Sequence, residues 1–383
     1  MNQRRIHCLN KISKVGLNVM PKHYHISEDL EEGVDGILVR SAVMHDMDLP
    51  KSLLCIARAG AGVNNIPLDK CAEKGIVVFN TPGANANAVK ELTIAMMLLA
   101  ARDIRGSMEW VKENRHDPEI NKSMEKAKSQ FAGTEILGKT LGVIGCGAIG
   151  ALVADAASHL GMKVIAVEPS EANIEKYSHL LTQVELVDYD ELYERADYIT
   201  LHVPLLDATR GMLNEKAFNK MKDGVIIINA ARDALVNDDD LEVAIRNGKV
   251  RRYVTDFPNS NTAKMNGVVA ISHLGASTEE AEDNCAVMAV NEISDYLDNG
   301  NIVNSVNFPN LHLGVRRGVR AVVLHDANKK TSEKVLSALR PYGVGNSVTG
   351  VKGNFGTTLV DLQKAPAKEL ESVPGVIRVM LVK

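Results

Sequence analysis

The stretch LGVIGCGAIGALVADAASHLGMKVIAVEPS, residues 141–170, decides the fold class of this chain. A short apolar run leads into Gly145, Gly147 and Gly150, a helical pattern follows, and a second apolar run ends at the acid Glu168. A strand, a glycine turn, a helix and a second strand ending in an acid are typical of a dinucleotide-binding unit. A glycine-rich turn beside a solvated glutamate is the plainer alternative, but the complete context favours the nucleotide site.

Each residue of the turn has a physical task. Gly145 permits the tight turn, Gly147 lets the backbone approach a pyrophosphate, and Gly150 lets the helix and the strand pack closely. Ala148 and Ile149 belong to the helix N-terminus, which holds the phosphate charge. We therefore predict that these five residues bind the cofactor.

Glu168 distinguishes between the two nicotinamide dinucleotides. Its carboxylate would accept hydrogen bonds from the adenosine ribose hydroxyls and would repel a 2′-phosphate. No arginine follows in EPSEAN, residues 168–173. The sequence therefore predicts NAD rather than NADP as the cofactor.

Composition excludes several classes of partner. With 45% apolar residues, 24% charged residues and a formal net charge of -4, the chain has no footprint for nucleic acid or an anionic membrane. The longest apolar run, residues 92–101, is too short to span a bilayer, and the N-terminus shows no apolar signal core. Scattered cysteines and the lone pair His23 and His25 predict no metal site. We expect a cytoplasmic protein.

Apolar strand patterns alternate with helical patterns in two successive blocks. In the first, GVDGILVRS, LLCIARAG and GIVVFN read as strands and residues 85–101 as a helix; a polar helical stretch at 110–129 leads to the second block. This alternation predicts parallel sheets and an α/β fold. From about residue 318 onward the order βαββαβ, with a helix at 365–373, is typical of a small regulatory or dimerising module.

Several of these motifs resemble the D-isomer-specific 2-hydroxyacid dehydrogenases, and among them most closely the D-3-phosphoglycerate dehydrogenases. Residues 58–93 resemble the family's substrate-domain segment, NAARDALV (229–236) its arginine motif, and SHLGAST (272–278) its histidine motif. The C-terminal block resembles an ACT domain. The resemblance implies a doubly wound Rossmann NAD domain inserted in a flavodoxin-like substrate domain, followed by the ACT-like βαββαβ domain.

The implied boundaries divide the chain into three domains. The substrate-binding domain takes residues 1–92 and 280–312, the NAD-binding Rossmann domain 93–279, and the ACT-like regulatory or dimerisation domain 317–383. We expect a homodimer or a homotetramer.

The resemblance also implies roles for residues of the two motifs. Arg232 grips the substrate carboxylate and keto oxygen, His273 is the general acid/base, and Asp256 contacts the nicotinamide carboxamide, while Ala230 and Gly275 also contact the cofactor. Oxidising a 2-hydroxy acid needs a base for the hydroxyl proton and a fixed cation on the carboxylate, so the chemistry agrees. Arg232 and His273 each follow a buried strand, where open α/β sheets place their ligands.

The substrate is expected to carry an anion at both ends. The resemblance implies that a backbone loop cradles its carboxylate, formed by Ala59, Gly60, Ala61, Gly62 and Val63. Arg40 and Arg58 follow buried strands and are candidates for binding a second anion. They favour the NAD-dependent oxidation of D-3-phosphoglycerate to 3-phosphohydroxypyruvate, the first step of serine biosynthesis.

Two departures from the family pattern keep alternatives open. The glutamate that orients the histidine falls on Ser260, and the ACT effector turn is replaced by ANKK, residues 327–330. The alternatives are a reductase for another 2-keto acid and a non-catalytic NAD-sensing scaffold of the corepressor type. Retention of Arg232 and His273 favours an enzyme.

Overall fold

The structure is a computed structural model that describes residues 3–30, 33–366 and 368–383. Its internal contacts divide the chain into two compact units, Met1–Asn85 together with Glu279–Lys383, and Ala86–Thr278. Each unit contains a parallel sheet, and the first also carries a small antiparallel sheet. The α/β fold class is confirmed, whereas the three-domain boundaries implied by the resemblance stay a prediction.

The first unit begins with a five-stranded parallel sheet of order β2-β1-β3-β4-β5. Its elements are β1 (Arg4–Cys8), α1 (Lys14–Asn18), β2 (Tyr24–Ser27), β3 (Gly36–Val39), β4 (Cys55–Arg58), α2 (Leu68–Glu73) and β5 (Val77–Asn80). The three predicted strands are confirmed as β3, β4 and β5. Every residue of β3 is buried, because a parallel sheet is covered on both faces, and this explains the continuous apolar runs.

The second unit contains a seven-stranded parallel sheet of order β12-β11-β10-β9-β6-β7-β8. The strands are β6 (Thr140–Ile144), β7 (Lys163–Val167), β8 (Val184–Leu186), β9 (Tyr198–Leu201), β10 (Val225–Asn229), β11 (Val250–Thr255) and β12 (Val268–Ala270). Strand order runs outward in both directions from β6, which is the doubly wound arrangement that the glycine motif predicts. Such sheets bind ligands beyond the carboxyl ends of the strands at this switch point.

Eight α-helices are described in the second unit. They are α3 (Ala86–Ala101), α4 (Ile104–Glu113), α5 (Ile120–Ala127), α6 (Ala148–His159), α7 (Glu171–Lys176), α8 (Tyr189–Arg195), α9 (Glu215–Lys220) and α10 (Asp238–Arg246). Helix α3 confirms the predicted helix at 85–101. The polar stretch at 110–129 forms the end of α4 and the separate helix α5, because Pro118 interrupts the helical pattern.

The chain returns to the first unit through α11 (Glu279–Asn299), and Gly300, with a φ of 73°, ends this helix. The antiparallel sheet then follows in the order β14-β15-β13-β16. Its elements are β13 (Val319–Asp326), α12 (Lys329–Leu339), β14 (Val344–Lys352), β15 (Phe355–Leu362) and β16 (Val376–Val382).

The second helix predicted for this block, at 365–373, is wrong. The described part is a short 3-10 segment, Lys368–Ser372, and Ala367 lies outside the described residues. Pro366 and Pro374 bound the predicted segment, and so short a helix depends on tertiary packing more than on its own propensity.

Both faces of β13, in the interior of the antiparallel sheet, are covered within the first unit. Val322 and Leu324 of β13 belong to the same core as Ile293 of α11, whereas Ala321 and Val323 pack in a second core with α12. In the part of the chain that the structure describes, no helix is long and apolar enough to cross a membrane. The same residues contain no group of three or more His, Cys, Asp or Glu side chains arranged for a metal ion.

Candidate active site

The glycine turn lies between β6 and α6 and requires glycine at two positions. Gly145 has a φ of 92°, and a Cβ there would lie 2.8 Å from the backbone oxygen of His202. A Cβ on Gly150 would lie 1.9 Å from the backbone oxygen of Gly145. At Gly147, in contrast, a Cβ would meet no atom within 4 Å. The open side of the turn is therefore at Gly147, where a pyrophosphate is predicted to approach.

The start of α6 leaves its first N–H groups available. Gly147 is the N-cap residue in an extended conformation, and no side chain caps the helix. Ala148 and Ile149, which follow, are partly exposed. N–H groups at a helix start bind anions through their hydrogen-bond donors and the helix dipole. The predicted phosphate contacts therefore fit a dinucleotide.

Glu168 follows β7 and makes contacts that the sequence did not indicate. Its carboxylate accepts hydrogen bonds from the backbone N–H of Cys146 at 2.7 Å and of Ser170 at 2.8 Å. Burial raises the pKa of Tyr189, and the negative charge of Glu168 raises it further. Glu168 thus connects the glycine turn to the start of α7.

Asn229 at the end of β10 shapes the loop that carries Arg232. Its side-chain oxygen accepts from the N–H of Ala231 at 3.0 Å, and its amide donates to the backbone oxygen of Arg232 at 2.8 Å. The buried amide also donates to the Tyr253 hydroxyl at 2.9 Å. Ala230 is partly exposed and Arg232 is exposed. Asn229, which the motif contains but the prediction left without a role, therefore holds the arginine loop.

Asp256 holds the histidine loop at two points. Its backbone oxygen accepts from the N–H of His273 at 2.8 Å, and its carboxylate accepts from the N–H of Gly275 at 3.0 Å. His273 has a φ of 30°, in the left-handed region that residues other than glycine rarely adopt. The two hydrogen bonds are the local contacts that offset this strain.

The Asp256 side chain is fully buried, and one carboxylate oxygen, Oδ1, has no partner among the described residues. Burial raises the pKa of Asp256, while the Gly275 N–H and the positive charges of His273 and Arg232 lower it. Both side chains thus lie within electrostatic reach of the carboxylate. A free acceptor here fits the amide donor of a nicotinamide carboxamide.

Phe257, directly after Asp256, contacts both predicted catalytic side chains. Its ring centre lies 4.3 Å from that of His273, and the Arg232 guanidinium carbon lies 5.1 Å from it. The imidazole makes no hydrogen bond or ion pair with any described residue, and Ser260 is exposed. The sequence interpretation gave Phe257 no role, because a lone aromatic after a strand reads as packing.

The predicted anion residues cluster in the first unit. The Arg58 side chain donates to the backbone oxygen of Arg40 at 3.1 Å. Gly60 lies beside the Arg58 guanidinium and has a φ of 155°, a backbone conformation that residues with a side chain rarely adopt, so glycine is favoured there. The backbone oxygen of Gly60 accepts from the N–H of Thr81 at 3.2 Å. The structure therefore brings both arginines together with this loop.

The rest of the loop is anchored from neighbouring strands. Ala59 donates to the backbone oxygen of Val39 at 2.8 Å, and Ala61 accepts from the Asn80 amide at 2.5 Å. Val63 accepts from the N–H of Ile66 at 3.1 Å, and Gly62 lies between these anchors, partly exposed. The carboxyl ends of β3, β4 and β5 thus meet at this loop, as the parallel arrangement predicts.

Glu282 of α11 is a neighbour that the sequence did not indicate. Its carboxylate lies 2.6 Å from the Arg40 guanidinium, with about two fifths of each side chain exposed. Burial raises the pKa of the Cys285 thiol one turn further on, the charges of Arg58 and Arg40 lower it, and Glu282 raises it. The Arg40 guanidinium is therefore already paired with the carboxylate of Glu282.

Comparisons with known proteins agree with this arrangement. Residues 94–275 match the family described as D-isomer specific 2-hydroxyacid dehydrogenase, NAD binding domain. A hydroxypyruvate reductase of Thermotoga maritima is 38% identical over 296 residues, 74% of this chain and 92% of that protein. A D-3-phosphoglycerate dehydrogenase of Archaeoglobus fulgidus is 36% identical over 318 residues, 79% of this chain but only 58% of that longer protein.

A solved structure gives the same result. The NAD⁺-bound 3-phosphoglycerate dehydrogenase of Entamoeba histolytica is 26% identical, covers 80% of this chain and 99% of its own, and superposes with a TM-score of 0.61. The predicted cofactor, NAD, and the predicted class of NAD-dependent dehydrogenase are confirmed. The chain belongs to the D-isomer specific 2-hydroxyacid dehydrogenases.

Proposed function

We propose that the chain oxidises D-3-phosphoglycerate to 3-phosphohydroxypyruvate with NAD, the first step of serine biosynthesis. The observation that supports the substrate is that Arg40 and Arg58 both stand beside the loop at 59–63, where the Arg58 side chain donates to the backbone oxygen of Arg40. Arginine binds phosphate through a planar fork of donors, and an unphosphorylated acid needs no such second site. The names of the archaeal relative and of the Entamoeba structure support the same substrate.

The residues divide the reaction between binding and proton transfer. NAD, when bound, supplies the acceptor for the hydride that leaves C2 of the substrate. Arg232 binds the carboxylate and the C2 oxygen, so that its fixed charge orients the reacting carbon. His273 takes the proton from the C2 hydroxyl in oxidation and returns it in reduction.

Cofactor contacts come from the glycine turn and from Asp256. Gly145, Gly147 and Gly150, with Ala148 and Ile149, hold the pyrophosphate, and Glu168 binds the adenosine ribose. Asp256 accepts from the nicotinamide carboxamide through the oxygen that has no partner among the described residues. Ala230 and Gly275 contact the cofactor through the loops that Asn229 and Asp256 hold.

The test measures NADH formation with D-3-phosphoglycerate against D-lactate and D-glycerate. Arg40→Ala and Arg58→Ala each remove a charge-assisted contact of roughly 1.5–3 kcal/mol, which corresponds to about a tenfold to hundredfold rise in KM. The kinetics with D-lactate are the matched control and should change little. Normal KM values for the phosphorylated acid in both variants contradict the substrate assignment.

A second candidate is the reduction of an unphosphorylated 2-keto acid such as hydroxypyruvate. The Glu282–Arg40 ion pair favours it, because the pair removes one of the two positive charges available to a phosphate. The name of the Thermotoga relative points the same way. Turnover of hydroxypyruvate that is indifferent to Arg40→Ala and Arg58→Ala would support this candidate. NAD binding without turnover of either class would support the scaffold alternative.

We propose a homodimer or a homotetramer in the cytoplasm, with the C-terminal block as an ACT-like module. Asn328 of the ANKK segment caps α12 by accepting from the N–H of Lys330 at 3.0 Å. His325 is buried, with its ring nitrogens 2.6 Å from the backbone oxygen of Asp326 and 3.0 Å from the Thr358 hydroxyl. Both nitrogens are engaged, so we expect millimolar L-serine to leave the rate unchanged. Inhibition by serine would contradict this expectation about the C-terminal block. The proposed oligomeric state is tested by light scattering.

A further inference from the structure

The Phe257 ring is a side-chain neighbour shared by the two predicted catalytic residues. Arg232 stands in the loop after β10 and His273 in the loop after β12, yet the guanidinium carbon lies 5.1 Å and the imidazole centre 4.3 Å from the same ring centre. The guanidinium carbon and the imidazole centre are therefore no farther apart than the sum of these distances. One ring brings side chains from two loops to one place.

Other contacts of these two side chains are sparse. The Arg232 guanidinium donates to the backbone oxygen of its neighbour Ala231, and the imidazole has no hydrogen bond or ion pair among the described residues. Hydrogen bonds hold the backbone of both loops through Asn229 and Asp256, but they do not orient the exposed side chains beyond Cβ. The Phe257 ring is therefore a contact that both side chains share.

Phe257 is itself held at the end of β11. Its N–H donates to the Thr255 hydroxyl at 3.0 Å, and that hydroxyl donates to the backbone oxygen of Asn229 at 2.9 Å. The residue follows the fully buried Asp256 directly, and its ring is partly buried. The ring is thus attached to the strand ends that carry both loops.

The loop that follows has no acid in place of the missing glutamate. Ser260 is exposed, and its neighbours Asn259 and Asn261 donate to the Asp238 carboxylate at 2.9 and 3.3 Å. That carboxylate belongs to the start of α10 and serves to fasten the loop. Among the described residues, no carboxylate is hydrogen-bonded to the imidazole, and the Phe257 ring is in contact with it.

We propose that Phe257 is a positioning residue that orients the side chains of Arg232 and His273 toward the same substrate molecule. This inference rests on the proposed function. The face of an aromatic ring carries partial negative charge and attracts a guanidinium or an imidazolium. A carboxylate in its place would occupy their N–H donors, whereas the ring occupies none of them. The imidazole N–H and the guanidinium donors that do not bind Ala231 stay available for the substrate carboxylate and C2 oxygen. Phe257 acts through these two residues and not on the reacting atoms.

The test compares Phe257→Leu, which removes the ring but keeps apolar bulk, with Phe257→Tyr, which keeps the ring. Leucine should lower kcat about tenfold to hundredfold, because reacting groups lose their alignment. Tyrosine should remain within about threefold of the parent enzyme, since the ring face is retained. NAD affinity and the thermal unfolding midpoint serve as fold controls and should be alike in the two variants.

A second readout needs no substrate. The imidazole carbon-bound proton of His273, identified by the loss of its NMR signal in His273→Gln, should be displaced by the Phe257 ring current. Phe257→Leu should move it toward the position of exposed His179, and Phe257→Tyr should not. A purely structural role would change the unfolding midpoint and the NAD affinity without separating the two variants in this way.

The outcomes separate the inference from the function on which it rests. If the parent enzyme is active and Arg232→Ala abolishes activity, equal kcat for the leucine and tyrosine variants overturns the inference alone. An unchanged His273 signal in Phe257→Leu also overturns it. A parent enzyme that oxidises no 2-hydroxy acid overturns the proposed function, and the inference with it.

Discussion

Replacement of Glu168 tests the preference for NAD together with the integrity of the glycine turn. The carboxylate accepts from the N–H of Cys146 at 2.7 Å and of Ser170 at 2.8 Å, so it has a structural task besides the one predicted for the ribose. Glu168→Gln removes the charge and keeps an amide oxygen as acceptor. Glu168→Ala removes both. The two variants therefore separate the effect of charge from the effect of the turn.

The expected magnitudes follow from the charge and the two hydrogen bonds. Unit charges about 4 Å apart interact by roughly 1 kcal/mol in water and about 4 kcal/mol near a protein surface, and a 2′-phosphate carries up to about two charges. We expect a preference for NAD of about 2–4 kcal/mol, or roughly thirtyfold to a thousandfold. Glu168→Gln should remove most of it. Glu168→Ala should also weaken NAD binding about tenfold, because the partly exposed acceptor holds two N–H groups.

The assay is the ratio of kcat/KM for NAD and for NADP, measured at two salt concentrations because salt screens the repulsion. Glu171→Gln is the matched control, since it removes the same charge from an exposed side chain at the start of α7. The reasoning is refuted if Glu168→Gln keeps the parent ratio, or if Glu171→Gln changes the ratio as much.

Three further predictions follow from single contacts. Glu282→Gln frees Arg40 from a half-exposed ion pair of about 0.2–1 kcal/mol, so KM for D-3-phosphoglycerate should fall up to about fivefold, and a higher KM speaks against it. Arg320→Met leaves Asp361 without its fully buried partner and should lower the free energy of unfolding in urea by about 3–5 kcal/mol. The additional change Asp361→Asn on the same chain should restore part of this loss, and an unchanged urea midpoint contradicts the prediction. Burial raises the pKa of Glu292 to about 8, so between its ordinary value and 8 the folded chain keeps a proton that the unfolded chain loses. The free energy of unfolding should therefore fall as pH rises through this window, by at most about 1.4 kcal/mol per unit, and Glu292→Gln should remove the slope; parallel pH profiles would count against it.

The architecture of the second unit could be predicted because local patterns suffice for it. Gly145 and Gly150 are required by contacts of 2.8 and 1.9 Å at a turn, and the spacing of the motif encodes that turn directly. Continuous apolar runs indicated buried parallel strands without any knowledge of their order. The helix at 365–373 was wrong because a pattern bounded by two prolines is too short for local propensity to determine its conformation.

Only those residues of the site that directly follow an apolar strand pattern could be predicted from the sequence. Arg232 and His273 each follow an apolar run, so their position at the sheet edge was readable from the sequence. Their shared contact with Phe257 was not, because it requires that β10, β11 and β12 be neighbours in the sheet. The ion pair of Arg40 with Glu282 is equally invisible, since it joins β3 to a helix that returns from the far end of the chain.

The apolar pattern of the C-terminal sheet contains information beyond the βαββαβ order of its elements. In a βαββαβ unit the helices cover one face of the sheet, so its strands should alternate between apolar and exposed residues. The run Ala321 to Leu324 does not alternate, and all four side chains are buried. Val322 and Leu324 fill the core that contains Ile293 of α11, while Arg378 of β16 donates to the backbone oxygen of Lys51 at 2.9 Å. The buried run therefore reflects a second packing partner, α11, which the βαββαβ pattern alone does not reveal.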